Sequence, residues 1–133
     1  MKILIAEDDP ISRRMLEGML VKWGYEVTAA GDGVKALEVF RENRPPLAIL
    51  DWVMPGMDGT EVCRKARELS GHGSPYIILL ASKEFLENIV DSSEKGADDY
   101  MAKPFDSEEL SLHLRRAMGV LDLRKTSASL PVH

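Results

Sequence analysis

The sequence is poor in cysteine, in basic charge and in long apolar runs. Cys63 is the single cysteine among 133 residues, which excludes an internal disulfide and a multi-cysteine zinc site and fits a reducing cytoplasm. Acidic residues outnumber basic ones by 22 to 17, and the resulting net charge of -5 argues against broad, non-specific binding to nucleic acid. The apolar start over 3–6 meets Glu7 and is too short for a signal peptide or a membrane span.

Short apolar runs alternate with amphipathic stretches along the whole chain. The apolar runs predict five strands, over 3–6, 26–30, 47–50, 76–81 and 100–102. Apolar residues at helical spacing follow the strands, and they predict a core-facing stripe on each helix; Ile11, Met15, Leu16 and Leu20 form the first stripe. Successive β-then-α units predict one α/β domain, a doubly wound parallel sheet with helices on both faces. A few strand orders stay open at this point.

Charged residues follow three of the predicted strands. Glu7, Asp8 and Asp9 follow the first strand, Asp51 the third and Lys103 the fifth, at the edge where parallel sheets bind ligands. If the first and third strands are neighbours, the carboxylates converge, and two charges ~4 Å apart repel by roughly 4 kcal/mol at an effective dielectric of about 20. Lys103 neutralises one charge. Oxygen ligands favour Mg²⁺, or Mn²⁺, over Zn²⁺ as the partner for the rest.

A carboxylate beside a divalent cation and a lysine suits phosphoryl transfer. The cation and the ammonium group stabilise charge on the transferring oxygens while the carboxylate attacks phosphorus, which gives an acyl phosphate. The sequence contains no phosphate-cradling Gly-Lys-Ser/Thr loop, so bound ATP is not an evident donor. The alternative, that residues 7–9 merely begin the next helix, explains neither Asp51 nor Lys103.

Residues 31–36, Gly-Asp-Gly-Val-Lys-Ala, match the dinucleotide-binding pattern Gly-x-Gly-x-x-Gly/Ala. Asp32 lies between the two glycines, where a pyrophosphate would approach, and the motif follows the second predicted strand instead of the first. The motif also leaves the acids after the first and third strands unexplained. We therefore interpret it as a tight turn that Asp32 caps.

Four stretches resemble the receiver domain of two-component response regulators. They are Glu-Asp-Asp-Pro at 7–10, Asp-Trp-Val-Met-Pro-Gly-Met-Asp-Gly at 51–59, Gly-Ala-Asp-Asp-Tyr at 96–100 and Lys-Pro-Phe at 103–105. The resemblance covers about residues 2–123 and implies a flavodoxin-like fold with strand order 2-1-3-4-5. It also implies a receiver domain over 1–123, followed by a C-terminal tail or linker over 124–133.

The resemblance implies a role for each matching position. Asp51 is the implied phosphoacceptor. Mg²⁺ is implied to bind to Asp51 and Asp8 directly, to Glu7 through water and to the backbone carbonyl of Val53. Lys103 is implied to bind the phosphoryl oxygens.

Two further positions match the resemblance and one departs from it. Tyr100 is the implied aromatic switch that moves inward on activation, and the peptide bond before Pro104 is implied to be cis. Receivers usually carry Thr or Ser followed by Ala at the end of the fourth strand, where this chain has Ala81 followed by Ser82. Ala81 has no hydroxyl to bind the phosphoryl group, and Ser82 supplies one only if the loop shifts.

The implied function is a phosphorylation-driven switch in the cytoplasm. A sensor histidine kinase or a phosphotransfer protein phosphorylates Asp51, and the surface of helix 4, strand 5 and helix 5 contacts a second copy or an output domain. Such a receiver is not an enzyme beyond its own phosphorylation and dephosphorylation. Two alternatives stay open: a degenerate receiver that signals without phosphorylation, which Ala81 favours, and an aspartyl-nucleophile phosphatase, for which 133 residues leave no room for a substrate-binding cap.

Overall fold

Strands and helices alternate along the chain. The computed structural model describes residues 1–70, 74–87 and 96–129, and within these the elements are β1 (Lys2–Ala6), α1 (Pro10–Lys22), β2 (Glu26–Ala30), α2 (Gly33–Asn43), β3 (Leu47–Asp51), α3 (Gly59–Ser70), β4 (Tyr76–Ser82), α4 (Lys83–Glu87), β5 (Asp99–Lys103) and α5 (Ser107–Ser129). All neighbouring strands pair in parallel, in the order β2-β1-β3-β4-β5. The predicted doubly wound, flavodoxin-like sheet is confirmed.

The sheet lies between two helical layers. Side chains alternate along the central strands, so that Leu4 and Leu50 pack with α2 and α3, whereas Ile3 and Ile49 pack with α1 and α5. Every residue of β3 is buried. Burial of one such side chain contributes roughly 1.5–3 kcal/mol. Because β3 is the central strand, its last residue, Asp51, lies in the middle of the sheet's edge.

Helix α1 departs from the predicted packing. Leu16 and Leu20 are buried against the sheet as the spacing predicts, but Ile11 and Met15 are 71% and 64% exposed. The reason is geometric, because α1 contacts the sheet along one side only and adjacent helical positions point about 100° apart. The helix therefore presents apolar side chains to solvent.

Glycine at position 33 is required by a close backbone approach. A Cβ there would lie 1.9 Å from the carbonyl oxygen of Met57, in the loop between β3 and α3. Asp32 accepts a hydrogen bond from the N–H of Lys35 at 2.8 Å and so begins α2. The interpretation of 31–36 as a capped turn is confirmed.

Helix α5 continues to Ser129, past the boundary at residue 123 where the sequence predicts a tail. Its end is helical because neither glycine nor proline occurs between Val120 and Leu130. A helix can also serve as a linker, so the domain boundary stays a prediction. None of the described helices, α5 included, is both long enough and apolar enough to cross a bilayer. The apolar positions Ile89 and Val90, which the sequence assigns to the fourth helix, lie outside the described residues.

Cys63 is expected to be chemically inert in the folded protein. Its side chain is fully buried in α3, and burial raises the pKa of the thiol to about 12. Because the thiolate is the reactive form, a thiol reagent at about pH 8 should modify the protein only after urea has unfolded it. Complete modification of the native protein at the rate of the unfolded chain would contradict this expectation.

Candidate functional site

Parallel pairing brings four predicted charged side chains together at one edge of the sheet. One ligand oxygen from each of Glu7, Asp8 and Asp51 lies within 4.8 Å of the other two. Lys103 ends β5, and its Nζ lies 2.8 Å from Asp51 Oδ2 and 3.2 Å from Glu7 Oε2. The acidic side chains of Glu7, which follows β1, and Asp51, which ends β3, thus share one ammonium group.

Burial makes this charge imbalance costly. The side chains of Glu7 and Asp51 are only 4% and 7% exposed, so water screens them little. Burial, assisted by neighbouring Asp51, raises the pKa of Glu7 from its usual 4.5 to about 7. Burial also lowers the pKa of Lys103, but the carboxylates of Asp51 and Glu7 outweigh this effect and the net shift is upward. The site holds more negative charge than its lysine balances.

The donor chemistry of the cluster fits a hard divalent cation. All three members are carboxylates, and neither histidine nor cysteine belongs to the cluster in the part of the chain that the structure describes. Asp8 is exposed to solvent, which suits Mg²⁺ because this ion keeps several waters and takes few carboxylates. Zinc sites in proteins are built mainly from cysteine and histidine ligands.

Two backbone contacts position Asp51 and the acidic loop, which comprises residues 7–9. The sequence does not reveal either contact. Arg13 Nη1 donates to the carbonyl oxygen of Glu7 at 2.8 Å and to that of Asp8 at 3.5 Å. A Cβ on Gly59 would lie 2.5 Å from the carbonyl oxygen of Asp51, so glycine alone lets α3 begin this close to β3. Arg13 therefore holds the acidic loop, and the position of Asp51 requires that residue 59 has no side chain.

Trp52 joins the site to an aromatic cluster. Its indole is 7% exposed, and its ring centroid lies 5.9 Å from that of Tyr100 in β5, with the planes tilted by 33°. The ring of Phe85 in α4 lies 5.0 Å away in an edge-on arrangement at 64°. Aromatic pairs of this kind contribute roughly 0.5–1.5 kcal/mol beyond their buried area. Tyr100 is the switch aromatic that the resemblance implies, and nothing in the sequence identifies Trp52 or Phe85 as its partners in this cluster.

The end of β4 carries no hydroxyl on its buried side. Ala81 is 4% exposed and pairs with Ala102 of β5. Ser82 is exposed, and its Oγ accepts a hydrogen bond from the N–H of Phe85 at 3.1 Å. Ser82 therefore caps α4, and its predicted role in binding phosphate stays a prediction.

The two remaining predicted positions concern the backbone. The Lys103–Pro104 peptide bond is cis, which is the isomer that the resemblance implies. Val53 directly follows Trp52, and its side chain is 66% exposed. The metal-binding role of the Val53 carbonyl stays a prediction.

Comparison with known sequences places the chain in a family. The family described as the response regulator receiver domain matches residues 3–115. The probable transcriptional regulator ycf27 of Pyropia yezoensis is 42% identical over 130 residues, which make up 98% of this chain and 52% of that protein. The response regulator MprA of a Mycobacterium species is 40% identical over 126 residues, 95% of this chain and 52% of that protein. The chain thus spans about half the length of these curated relatives.

A solved structure agrees with the sequence match. The receiver domain of a sensor histidine kinase from Pseudomonas aeruginosa, which has a magnesium ion coordinated in its active site cleft, is 31% identical, with a TM-score of 0.80. The alignment covers 89% of this chain and 97% of that one. Because the family match extends over most of the chain and includes every member of the acidic cluster, this chain belongs to the receiver domains of two-component response regulators.

Proposed function

We propose that Asp51 accepts a phosphoryl group from a phosphohistidine on a sensor histidine kinase or a phosphotransfer protein. The observation that supports this proposal is that the buried carboxylate of Asp51 belongs to the carboxylate cluster and lies 2.8 Å from Lys103 Nζ. An oxygen of Asp51 forms a bond to phosphorus while the donor's N–P bond breaks, and the electron pair of that bond stays on the imidazole nitrogen. The product is an aspartyl phosphate.

The chain's own residues orient the acceptor and balance charge. Lys103 offers its ammonium group to the phosphoryl oxygens, which carry the charge that develops during transfer. Glu7, Asp8 and Asp51, with the backbone carbonyl of Val53, would hold Mg²⁺. When bound, Mg²⁺ supplies further positive charge to the same oxygens.

The donor is proposed to dock beside α1. A cavity of about 420 Å³ lies between α1 and the segment after β5, and its lining includes Met15, Lys103 and Phe105. Lys103 also contacts Asp51, so this cavity adjoins the acceptor site. A donor that brings phosphohistidine to Asp51 must cover this rim, and exposed Ile11 and Met15 offer it apolar contact area.

Incubation with acetyl phosphate and Mg²⁺, followed by mass spectrometry of the intact protein, tests the acceptor. We expect the wild type to gain the mass of one phosphoryl group, and Asp51→Asn to gain none because an amide oxygen is a poor nucleophile. The matched control is Asp122→Asn, at an exposed acid on α5, which should keep the gain. A gain in Asp51→Asn equal to that of the wild type would contradict the proposal.

A degenerate receiver that signals through protein contacts is the second candidate. It is favoured by Ala81, which offers no hydroxyl, and by Ser82, whose Oγ is engaged at the start of α4. The same experiment separates the two candidates, because a degenerate receiver shows no mass gain in the wild type.

Magnesium is expected to stabilise the folded protein. A ligand that binds only the folded state at ~10 times its Kd contributes about 1.4 kcal/mol, which raises the melting temperature by a few degrees in a domain of this size. We expect this rise in the wild type and in Asp122→Asn. We do not expect it in Asp8→Asn, in which a neutral amide replaces one of the carboxylate ligands. Thermal unfolding with MgCl₂ or with a chelator measures it, and an equal rise in Asp8→Asn would contradict the assignment.

The proposed output is a change in the surface formed by α4, β5 and α5. Asp99 of β5 contacts His113 Nδ1 at 2.6 Å and Arg116 Nη1 at 3.0 Å, so β5 and α5 are tied together. We assign a second copy of the chain or an output domain as the partner of this surface, and no direct contact with nucleic acid. The domain then works in the cytoplasm as a signalling switch and not as an enzyme on outside substrates.

A further inference from the structure

The exposed member of the carboxylate cluster depends on its backbone for its direction. Glu7 and Asp51 are buried, whereas Asp8 is exposed, so packing does not fix the Asp8 carboxylate. One of its oxygens nonetheless lies within 4.8 Å of ligand oxygens from the other two. Because Mg²⁺ requires near-ideal octahedral geometry, a small rotation of the Asp8 backbone would move this ligand out of place. A group that holds the backbone on both sides of Asp8 therefore controls metal binding.

Arg13 is such a group. Its Nη1 donates to the carbonyl oxygen of Glu7, in the peptide group before the Asp8 Cα, at 2.8 Å. The same nitrogen lies 3.5 Å from the carbonyl oxygen of Asp8, in the peptide group after that Cα, which is a weaker contact. Arg13 is also fixed at its base, because its backbone N–H donates to the carbonyl oxygen of Asp9 at 2.9 Å. The guanidinium group thus reaches from the start of α1 back to the acidic loop.

The acidic loop is fixed at its two ends by other contacts. The N–H of Glu7 donates to the carbonyl oxygen of Ala30 in β2 at 3.1 Å. The side chain of Asp9 accepts from the N–H of Ser12 at 3.0 Å and so begins α1. Arg13 bonds to the peptide groups between these ends, so it sets the direction in which the middle residue of the loop presents its carboxylate.

We propose that Arg13 is a positioning residue that sets the affinity of the carboxylate cluster for Mg²⁺ by holding the backbone of Asp8. The inference deepens the proposed function and rests on its metal site. Residues that orient metal ligands without touching the metal change the affinity by roughly 10–100-fold when they are replaced. We therefore expect Arg13→Ala to raise the Kd for Mg²⁺ by at least about 10-fold.

The sign of this change separates positioning from charge. The guanidinium group is a cation beside a site for a cation, so through charge alone its removal would lower the Kd for Mg²⁺. Loss of positioning raises the Kd instead. Arg14 is the matched control, because it is the next residue of α1, carries the same charge and is exposed. Arg14→Ala should bind Mg²⁺ no more weakly than the wild type.

Isothermal titration calorimetry of the metal-free protein with MgCl₂, at one pH and one salt concentration, measures these affinities. Arg13→Gln is a second variant that keeps a good helix former in α1, and it should bind Mg²⁺ as weakly as Arg13→Ala. Urea unfolding with a chelator measures the stability of each variant without metal. An arginine that only stabilised the fold would lower the free energy of unfolding when replaced and leave the Kd unchanged.

Phosphorylation by acetyl phosphate provides a second readout. In Arg13→Ala, the Mg²⁺ concentration that gives half the maximal rate should rise with the Kd, while the rate at saturating Mg²⁺ should stay near that of the wild type. A Kd at or below the wild-type value in both Arg13 variants, or equal weakening in Arg14→Ala, would overturn the inference and leave the proposed function intact. If the wild type bound no Mg²⁺, the proposed metal site and this inference would both fail, whereas the mass gain at Asp51 tests the acceptor separately.

Discussion

Replacing Glu7 with glutamine is expected to stabilise the metal-free protein above neutral pH by ~3 kcal/mol. Burial, together with Asp51, raises the pKa of Glu7 from 4.5 to about 7 in the folded protein. Each pKa unit corresponds to about 1.4 kcal/mol of difference between the two protonation states. The ionised Glu7 side chain therefore destabilises the fold by an amount that a neutral amide of similar shape avoids.

The pH dependence has a definite sign. The folded state binds the Glu7 proton more tightly than the unfolded chain does, so protonation of Glu7 stabilises the fold. This stabilisation is fully present below about pH 4.5 and is lost as the pH rises through about 7. Urea unfolding in the presence of a chelator, between about pH 5 and pH 8, should show the free energy of unfolding falling with pH for the wild type. The curve for Glu7→Gln should be flatter.

Two controls make this measurement specific. Glu42→Gln, at an exposed position of α2, should follow the wild-type curve. Saturating Mg²⁺ should restore the stability of the wild type at high pH, because a metal binds ionised carboxylates and displaces their protons. Parallel curves for the wild type and Glu7→Gln would show that Glu7 is not the group responsible.

The second large effect is expected from Gly59→Ala. The new Cβ would lie 2.5 Å from the carbonyl oxygen of Asp51 and 2.9 Å from Leu79 Cδ2, so the start of α3 must move away from β3. We expect the free energy of unfolding to fall by about 3 kcal/mol. Phosphorylation by acetyl phosphate should also slow, because the displaced loop carries the acceptor.

Gly18→Ala is the matched control for this prediction. A Cβ at Gly18, in the interior of α1, meets nothing within 4 Å. Alanine there should stabilise the protein by roughly 0.5–1 kcal/mol, because glycine is a poor helix former. Urea unfolding at one pH measures the free energy of unfolding of both variants. Destabilisation of the two variants by similar amounts would contradict the role assigned to Gly59.

The fold and the acidic cluster were predictable because both follow from one-dimensional patterns. Short apolar runs define the strands, and the segments between them carry apolar residues at helical spacing. Strand ends such as Asp51 and Lys103 can be located where those runs stop. Parallel pairing then brings the ends together whatever the loops do. The resemblance supplied the strand order, which the pattern alone left open.

The contacts around the cluster were not predictable, because they depend on distances that no spacing rule encodes. The guanidinium of Arg13 donates to the backbone of the acidic loop, and nothing in the sequence distinguishes this arginine from its neighbour Arg14. The aromatic contacts of Trp52 join residues that are far apart in the chain. Met15 was assigned to the core because helical spacing does not reveal how much of a helix the sheet covers.

The length of α5 has a mechanical consequence. The helix contacts the core through Leu110, Leu114 and Ala117, and Val120 and Leu121 pack against the same cluster. Further along, Arg124 donates to the carbonyl oxygen of Ser74 at 3.3 Å and to Asp98 Oδ1 at 3.1 Å. Only about 7.5 Å of helix, at 1.5 Å per residue, therefore extends past the last of these anchors to Ser129. Because the anchors hold the segments that precede β4 and β5, any displacement of α5 must move together with this edge of the sheet.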